Sequence, residues 1–328
     1  MLSNFCYSSW TEILTGVPQG SVLGPLLFNI YLSDLFLFFD KSNIASYADD
    51  NTPYACEKDI ETVISNLEED SKNLLEWICN NKLKANPDKF HLILSDKDTE
   101  LSLKVDNFTI TNSKSERLLG VTIDNKLNFN EHVSKLCMKA SQKLHALARV
   151  SHFMSIERRK TIMNAFINSQ FGYCPLVWMF HSRRLNKKIN NIHERSLRLV
   201  YRDNTSTFEE LLKQDGSVTI HVKNLQLLAT EIFKVIKGTG PEIMKDIFSL
   251  KECPQYETRF PFKSNTIYTE RYGKETLTFL GPKIWSLVPD EIRKSKTIEE
   301  FKKLIKTWNT DKCPCRLCKN FVADLGFV

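Results

Sequence analysis

Acidic residues all but vanish between residues 135 and 202, where 14 Lys and Arg stand against only Glu157 and Glu194, a net charge of +12. Basic residues are equally scarce at the other end: residues 1–70 hold 2 Lys and Arg against 11 Asp and Glu, a net of −9. The overall charge of +6 hides this split. An acidic front and a basic middle suit a protein that holds metal cations at one end and a polyanion further along. Two solvated surfaces of opposite sign would give the same arithmetic.

Other absences narrow the class. Six of the nine cysteines (Cys6, Cys56, Cys79, Cys137, Cys174 and Cys253) are scattered singly in apolar or helical contexts, so no disulfide framework is expected and the thiols read as reduced. The first residues carry neither a basic lead-in nor a small-residue cleavage site, so no signal peptide is expected, and an intracellular location in cytoplasm or nucleus follows. The one long apolar stretch, Val22 to Phe39, is interrupted by Pro25, Asn29 and Asp34. A bilayer would penalise the Asp and the freed backbone groups, so the stretch reads as a buried core helix and no membrane partner is expected. There is no internal repeat and no low-complexity tract. With 42% hydrophobic and 26% charged residues over 328 positions, disordered and collagenous classes are excluded and about two domains are expected.

The segment Thr15–Pro25 (TGVPQGSVLGP) reads as a Gly- and Pro-rich turn. Ile44–Ala55 reads as strand, tight turn, strand, with Asp49-Asp50-Asn51 as the turn and Pro53 confining the second strand to an edge. From Glu57 to Leu83, Ile60, Ile64, Leu67, Leu74 and Ile78 recur at helical spacing until Asn86-Pro87-Asp88 breaks the pattern. Strands are expected over Phe90–Leu94, Leu101–Val105, Phe108–Ile110 and Leu118–Ile123. The texture then becomes helical and basic over Glu131–Val150, Ile156–Asn168 and Arg183–Tyr201. Further helices are expected at Phe208–Lys213, Val222–Lys237 and Ile298–Trp308, with aromatic-rich strands near Tyr256–Thr269.

Tyr47-Ala48-Asp49-Asp50 is the sharpest chemical feature. Two adjacent carboxylates at a hairpin tip reach one side, repel each other, and are relieved by a cation between them. Such oxygen donors suit Mg²⁺ held together with substrate phosphates, the arrangement that two-metal phosphoryl transfer needs. An Asp-rich solvent turn has the same sequence. Lys135, Lys139, Lys143 and Arg149 recur at helical spacing, as do Arg183, Arg184, Lys187 and Lys188. Such stripes neutralise phosphates without reading sequence, although a solvated helix face is the ordinary explanation for any one of them. Cys313, Cys315 and Cys318 form a C-x-C-x₂-C tail, three thiols where structural zinc wants four ligands. The fourth would have to come from Cys253 or a His elsewhere in the fold, and three reduced thiols are the alternative.

The order GVPQGSVLGPLLFNIYLSDL, YADD, NKLKANPDKFHLIL and RLLGVTID, spanning Gly16 to Asp124, resembles reverse transcriptases of the non-LTR retrotransposon type, the jockey-like branch above all. The later segments ERRKTIMNAFINSQFGYCPLVWMFHSRRLNKKINNIHERSLRLVY, YGKETLTFLGPKIWSLVPDEIR and CPCRLCK resemble the C-terminal portion of such proteins. The resemblance implies an α+β fold: a partial polymerase palm (antiparallel sheet with helices) over 1–130, a basic helical thumb-like domain over 131–205, and a small α/β C-terminal region with a Cys-rich tail over 206–328. It implies RNA-directed DNA polymerase activity on an RNA template and DNA primer with deoxynucleotide triphosphates, using Mg²⁺ or Mn²⁺. Asp49 and Asp50 become the metal-site carboxylates, with Tyr47 and Ala48 near the primer terminus. Gly16, Pro18, Gln19, Gly20 and Ser21 become the loop at the incoming nucleotide and templating base. Lys89 becomes a candidate general acid for the leaving pyrophosphate, a solvated surface lysine being the alternative. Leu119, Gly120 and Val121 become the primer-grip hairpin.

The sequence departs from this family in one respect. The family carries another metal-binding Asp on a strand ahead of the GVPQG loop, and residues 1–15 contain no Asp. Asp34 and Asp40 lie downstream and are poor substitutes. The expectation is therefore a nucleotidyltransferase-family chain that lacks an Asp and the fingers and is catalytically incomplete alone. A non-catalytic nucleic-acid-binding remnant or a decayed element copy are the competing readings.

Overall fold

A computed structural model describes residues 12, 16–17, 20–95, 99–248, 250–251, 261–263, 269, 273–310 and 312–318. The chain divides into two units, Met1–Gly120 and Val121–Val328.

In the first unit, Pro25 occupies the first turn of α1 (Gly24–Tyr31), where its missing N–H is harmless, and a single 3₁₀ turn follows at Leu35–Phe38. The hairpin of β1 (Asn43–Tyr47) and β2 (Asp50–Tyr54) is antiparallel, running from Asn43 opposite Tyr54 to Tyr47 opposite Asp50. Pro53 sits opposite Ile44 in this two-stranded sheet, an edge position that tolerates its lost N–H. Helix α2 (Ile60–Asn80) starts at Asp59, whose carboxylate accepts from the Thr62 N–H at 2.9 Å. After a short 3₁₀ turn at Pro87–Lys89 come β3 (Leu92–Ile93), β4 (Ser102–Val105), β5 (Phe108–Ser113) and β6 (Ser115–Leu118). The architecture is mixed α+β with small sheets. The expected antiparallel sheet is realised in part: β4 and β5 pair antiparallel, but β3 joins β5 in parallel, giving the order β3-β5-β4.

The stretch Val22–Phe39 departs from the expected buried core helix. Helix α1 ends at Tyr31, and Leu32 and Leu35 of the stretch join Leu74 and Trp77 in a small core, with Phe28, Phe38 and Phe39 packed against it half-buried. Val22, Leu23, Leu26, Leu27, Ile30 and Leu37 face solvent, Val22 at 94% and Leu37 at 78% exposure. All-round hydrophobicity signals burial only where neighbours exist on every side, and α2 covers just one. Two buried polar contacts fix this region instead. Trp77 Nε1 donates to Asp34 Oδ1 at 3.0 Å. Asp70, wholly buried on α2, accepts from the backbone N–H groups of Asp40, Lys41 and Ser42 at 3.3, 3.2 and 2.6 Å and from Ser42 Oγ at 2.6 Å.

The second unit opens with β7 (Val121–Asp124). The Asp124 carboxylate gathers the N–H groups of Lys126, Asn128 and Phe129 at 3.1, 3.2 and 2.7 Å, turning the chain into α3 (Asn130–Val150). Helix α4 (Ile156–Ile162) leads through a π turn at Met163–Ile167 to α5 (Pro175–Trp178) and α6 (Arg183–Tyr201). Val133, Ala140 and Leu144 of α3 and Ile189, Leu197 and Val200 of α6 belong to one buried cluster. Arg159 is also buried here, giving its guanidinium to the carbonyls of Val200 (2.9 Å), Ser151 and Met154 (both 3.3 Å).

Next come α7 (Phe208–Asp215), α8 (Ile220–Ile236), α9 (Ile243–Ile247), α10 (Leu277–Leu287), α11 (Asp290–Arg293) and α12 (Ile298–Ile305). A second core forms around α8, where Phe233 stacks on Phe301 with ring centroids 4.2 Å apart. Most of the expected strands near 256–269 lie outside the described residues, and an isolated bridge pairs Leu250 with Phe262.

Two predictions follow from buried polar groups. Asp70→Ala leaves the buried Ser42 N–H and hydroxyl and the part-buried N–H groups of Asp40 and Lys41 without their acceptor and is expected to destabilise the first unit by about 3 kcal/mol, read by denaturant melts; a change within experimental error would contradict this. His193, buried on α6 with Nδ1 lacking a partner, is lowered from 6.5 to about 4 by burial. The unfolded chain therefore takes up a proton below pH 6.5 while the folded one waits until about 4. Stability should fall across that window by about 3 kcal/mol, and His193→Phe should flatten the fall in a pH series of melts.

Candidate functional site

The β1–β2 hairpin turns on Ala48 and Asp49, with Ala48 in the left-handed region at φ 54°. The turn is thus one residue earlier than Asp49-Asp50-Asn51, and Asp50 is the first residue of β2. Tyr47, Ala48, Asp49 and Asp50 are all exposed, Tyr47 at 68%. Ser46 Oγ donates to the Asn51 side-chain oxygen across the strands just below the tip. Asp49 and Asp50 are hard oxygen donors, the kind Mg²⁺ takes. Among the described residues, no third His, Cys, Asp or Glu joins them in a metal-sized group.

Of the loop residues, Gly16 and Gly20 hold φ of 82° and 84° and are exposed, so a side chain at either would be strained by backbone alone. Ser21 Oγ accepts from the Gly24 N–H at 3.0 Å, steadying the entry to α1. Pro18 and Gln19 lie outside the described residues. Lys89 ends the 3₁₀ turn and is exposed. Leu119 and Gly120, at φ 45° and 84°, form the turn that follows β6, and Val121 begins β7 with its side chain buried.

On the basic helices, apolar positions face inward and Lys135, Lys139, Arg149, Arg183, Arg184, Lys187 and Lys188 are exposed, with Lys143 half-buried. Lys135 pairs with Glu131 at 2.7 Å, and Lys143 lies 6.0 Å from the Phe166 ring centroid. Part of the +12 charge is structural. Arg159 is consumed by carbonyls, Lys160 pairs with Asp215 at 2.8 Å, and Arg198 pairs with Glu194 at 2.7 Å. Lys188 lines an open cavity of about 350 Å³ between α3 and α6 with Ser134, Cys137, Met138, Ser141, Asn191 and Ile192. Burial pushes the Cys137 thiol up to about 11, so it is a packing residue.

The tail cysteines converge on a residue that sequence reasoning did not name. His221, at the start of α8, joins Cys313, Cys315 and Cys318, and the four ligand atoms lie within 4.8 Å of one another. Only a generic requirement for a His from elsewhere pointed to it. No local motif could, because 94 residues separate it from Cys315.

Residues 3–123 match the family described as "Reverse transcriptase (RNA-dependent DNA polymerase)". That segment is similar to reverse-transcriptase sequence. The matched segment ends within β7 and contains the exposed Asp49-Asp50 tip. Curated relatives include "RNA-directed DNA polymerase from mobile element jockey" of Drosophila melanogaster, 30% identical over 138 residues that cover 39% of this chain and 15% of the relative. "Probable RNA-directed DNA polymerase from transposon BS" of the same organism is 24% identical over 208 residues, 59% of this chain and 23% of the relative. "Probable RNA-directed DNA polymerase from transposon X-element" is 24% identical over 201 residues, 58% and 22% respectively. The chain therefore spans less than a quarter of the length of these relatives. These matches bear out the resemblance to jockey-like reverse transcriptases. No solved structure matches the chain. Among the described residues, no helix is long and apolar enough to cross a membrane.

Proposed function

We propose that this chain is the palm and thumb portion of an RNA-directed DNA polymerase of a non-LTR retrotransposon. Residues 1–130 are the partial palm, 131–205 the thumb, and 206–328 a C-terminal region with the Cys-rich tail. The observation that carries this reading is the hairpin of residues 43–54, which presents Asp49 and Asp50 at an exposed tip inside the matched segment.

In this reading Asp49 and Asp50 would hold Mg²⁺ or Mn²⁺, which when bound activates a primer hydroxyl and neutralises charge on the transferred phosphate. The chain's own residues do the rest. Ala48, small and left-handed, keeps the tip narrow so that a primer end can approach Tyr47 and the carboxylates. The glycines at 16 and 20 let the backbone lie close to a nucleotide. Lys89, exposed at the end of the 3₁₀ turn, stands as a proton donor to pyrophosphate. Leu119-Gly120-Val121 supplies a tight reversal for gripping the primer strand. Lys139, Lys143, Arg149, Arg183, Arg184, Lys187 and Lys188 hold phosphates along the duplex, with Lys135 shared with Glu131.

Two carboxylates that no third His, Cys, Asp or Glu joins among the described residues support a further statement: the 328 residues by themselves do not extend a primer. A primer-extension assay on an RNA template with deoxynucleotide triphosphates and Mg²⁺ or Mn²⁺ should give no product above background. Extension abolished by Asp49→Ala would overturn that statement while supporting the family assignment of the tip.

Duplex binding is a separate expectation. An RNA–DNA duplex should bind with affinity that falls steeply with salt, and removing Lys139, Lys187 and Lys188 together should lower the log–log salt slope by about 2 to 3. Binding that is insensitive to salt, or unchanged in the triple variant, would refute the thumb assignment. Binding that survives Asp49→Ala in a chain without extension activity would favour a binding role over a catalytic one.

A further inference from the structure

The C-terminal tail and the start of α8 build a compact soft-donor cage. His221 Nε2 lies 3.6 Å from Cys315 Sγ and 3.5 Å from Cys318 Sγ, and the two sulfurs are 3.8 Å apart. Zinc bonds of about 2.3 Å to sulfur and about 2.0 Å to nitrogen, set at tetrahedral angles, have edges of about 3.8 Å between sulfurs and about 3.5 Å between sulfur and nitrogen. The three edges of 3.5, 3.6 and 3.8 Å match that tetrahedron. Cys313 supplies the fourth corner within the same 4.8 Å group.

The surroundings hold the donors in place. Cys313, Cys315 and His221 are buried. Thr219 caps α8 by accepting from the Val222 N–H at 3.3 Å, which fixes the backbone at His221. One turn further on, Gln226 Nε2 donates to the carbonyls of Trp308 at 2.7 Å and Lys306 at 3.3 Å, seating the segment that leads into the tail. Inside the tail, the Cys318 N–H bonds the Cys315 carbonyl at 3.1 Å, and Arg316 reaches out to the His181 carbonyl at 3.1 Å and Glu275 at 2.9 Å.

We propose that His221, Cys313, Cys315 and Cys318 form a closed structural zinc site that fastens the C-terminal tail to α8. Four protein ligands leave no open position for a substrate, so the site is structural and not catalytic. The three thiols release their protons to solvent as they bind the ion. The site closes a loop of about ninety residues, where a cross-link removes much freedom from the unfolded chain. It stands independently of the polymerase reading, since none of its ligands lies in residues 3–123.

The test uses the full chain, purified in reducing buffer without chelator after expression with added zinc. Elemental analysis should find one zinc per chain. Cobalt(II) exchanged into the wild-type protein should give the intense absorption of a tetrahedral thiolate complex. His221→Ala and Cys315→Ser should each lose the stoichiometric metal, whereas His221→Cys and the exposed-site control Cys79→Ser should keep it. Substoichiometric zinc in the wild-type chain, a cobalt spectrum without thiolate bands, or zinc retained in both His221→Ala and Cys315→Ser would overturn the proposal. Should either loss variant fail to fold, the wild-type zinc content and cobalt spectrum decide the question alone.

Discussion

Helix α8 is buried at 12 of its 17 positions, and the second unit's later elements are arranged by that fact. A helix with so little solvent face must be covered from several directions, and α10, α12 and the tail supply the cover through Trp285, Phe301, Ile305 and Leu317. Its polar side chains cannot be left in a dry interior without partners. Gln226 answers by bonding the carbonyls that end α12, and Thr230 by bonding the Gln226 carbonyl at 2.8 Å. His221 answers with the cysteines. Gln226 and His221 thus tie α8 to the segment that leads into the tail and to the tail itself.

The same logic divides the basic charge into two kinds. Arg159, Lys160 and Arg198 are spent on carbonyls and carboxylates inside the second unit, Arg159 and Lys160 across elements and Arg198 within α6. Lys139, Arg184, Lys187 and Lys188 project outward from α3 and α6, whose inner faces pack on each other. Charge counting cannot tell these kinds apart, because a guanidinium bonding a helix-end carbonyl and one awaiting a phosphate have the same formal charge.

Local patterns were readable where local forces set the outcome. The hairpin around Ala48-Asp49, the capped helix from Asp59 and the helical run from Asn130 all follow from turn chemistry, capping and periodicity, and each stands within a few residues of its expected place. The Asp49-Asp50 pair was legible for the same reason, since both its chemistry and its tip position are properties of neighbours in sequence. What escaped depends on distant partners. His221 meets Cys315 across 94 residues. Asp70 reads as one more acid on a charged helix until its carboxylate is seen gathering the N–H groups of residues 40–42. The Val22–Phe39 stretch misled because hydrophobicity reports what a segment prefers, and burial depends on what the rest of the unit can cover.

The exposed apolar face of α1 and the basic faces of α3 and α6 set opposing demands on the solvent. Added salt screens charge and loosens whatever the lysines and arginines attract. Kosmotropic ions at the same time drive apolar surfaces together, and Val22, Leu26, Ile30 and Leu37 offer such a surface. Added salt therefore acts on the two surfaces in opposite senses, weakening attraction at the basic faces and favouring contact at the apolar one.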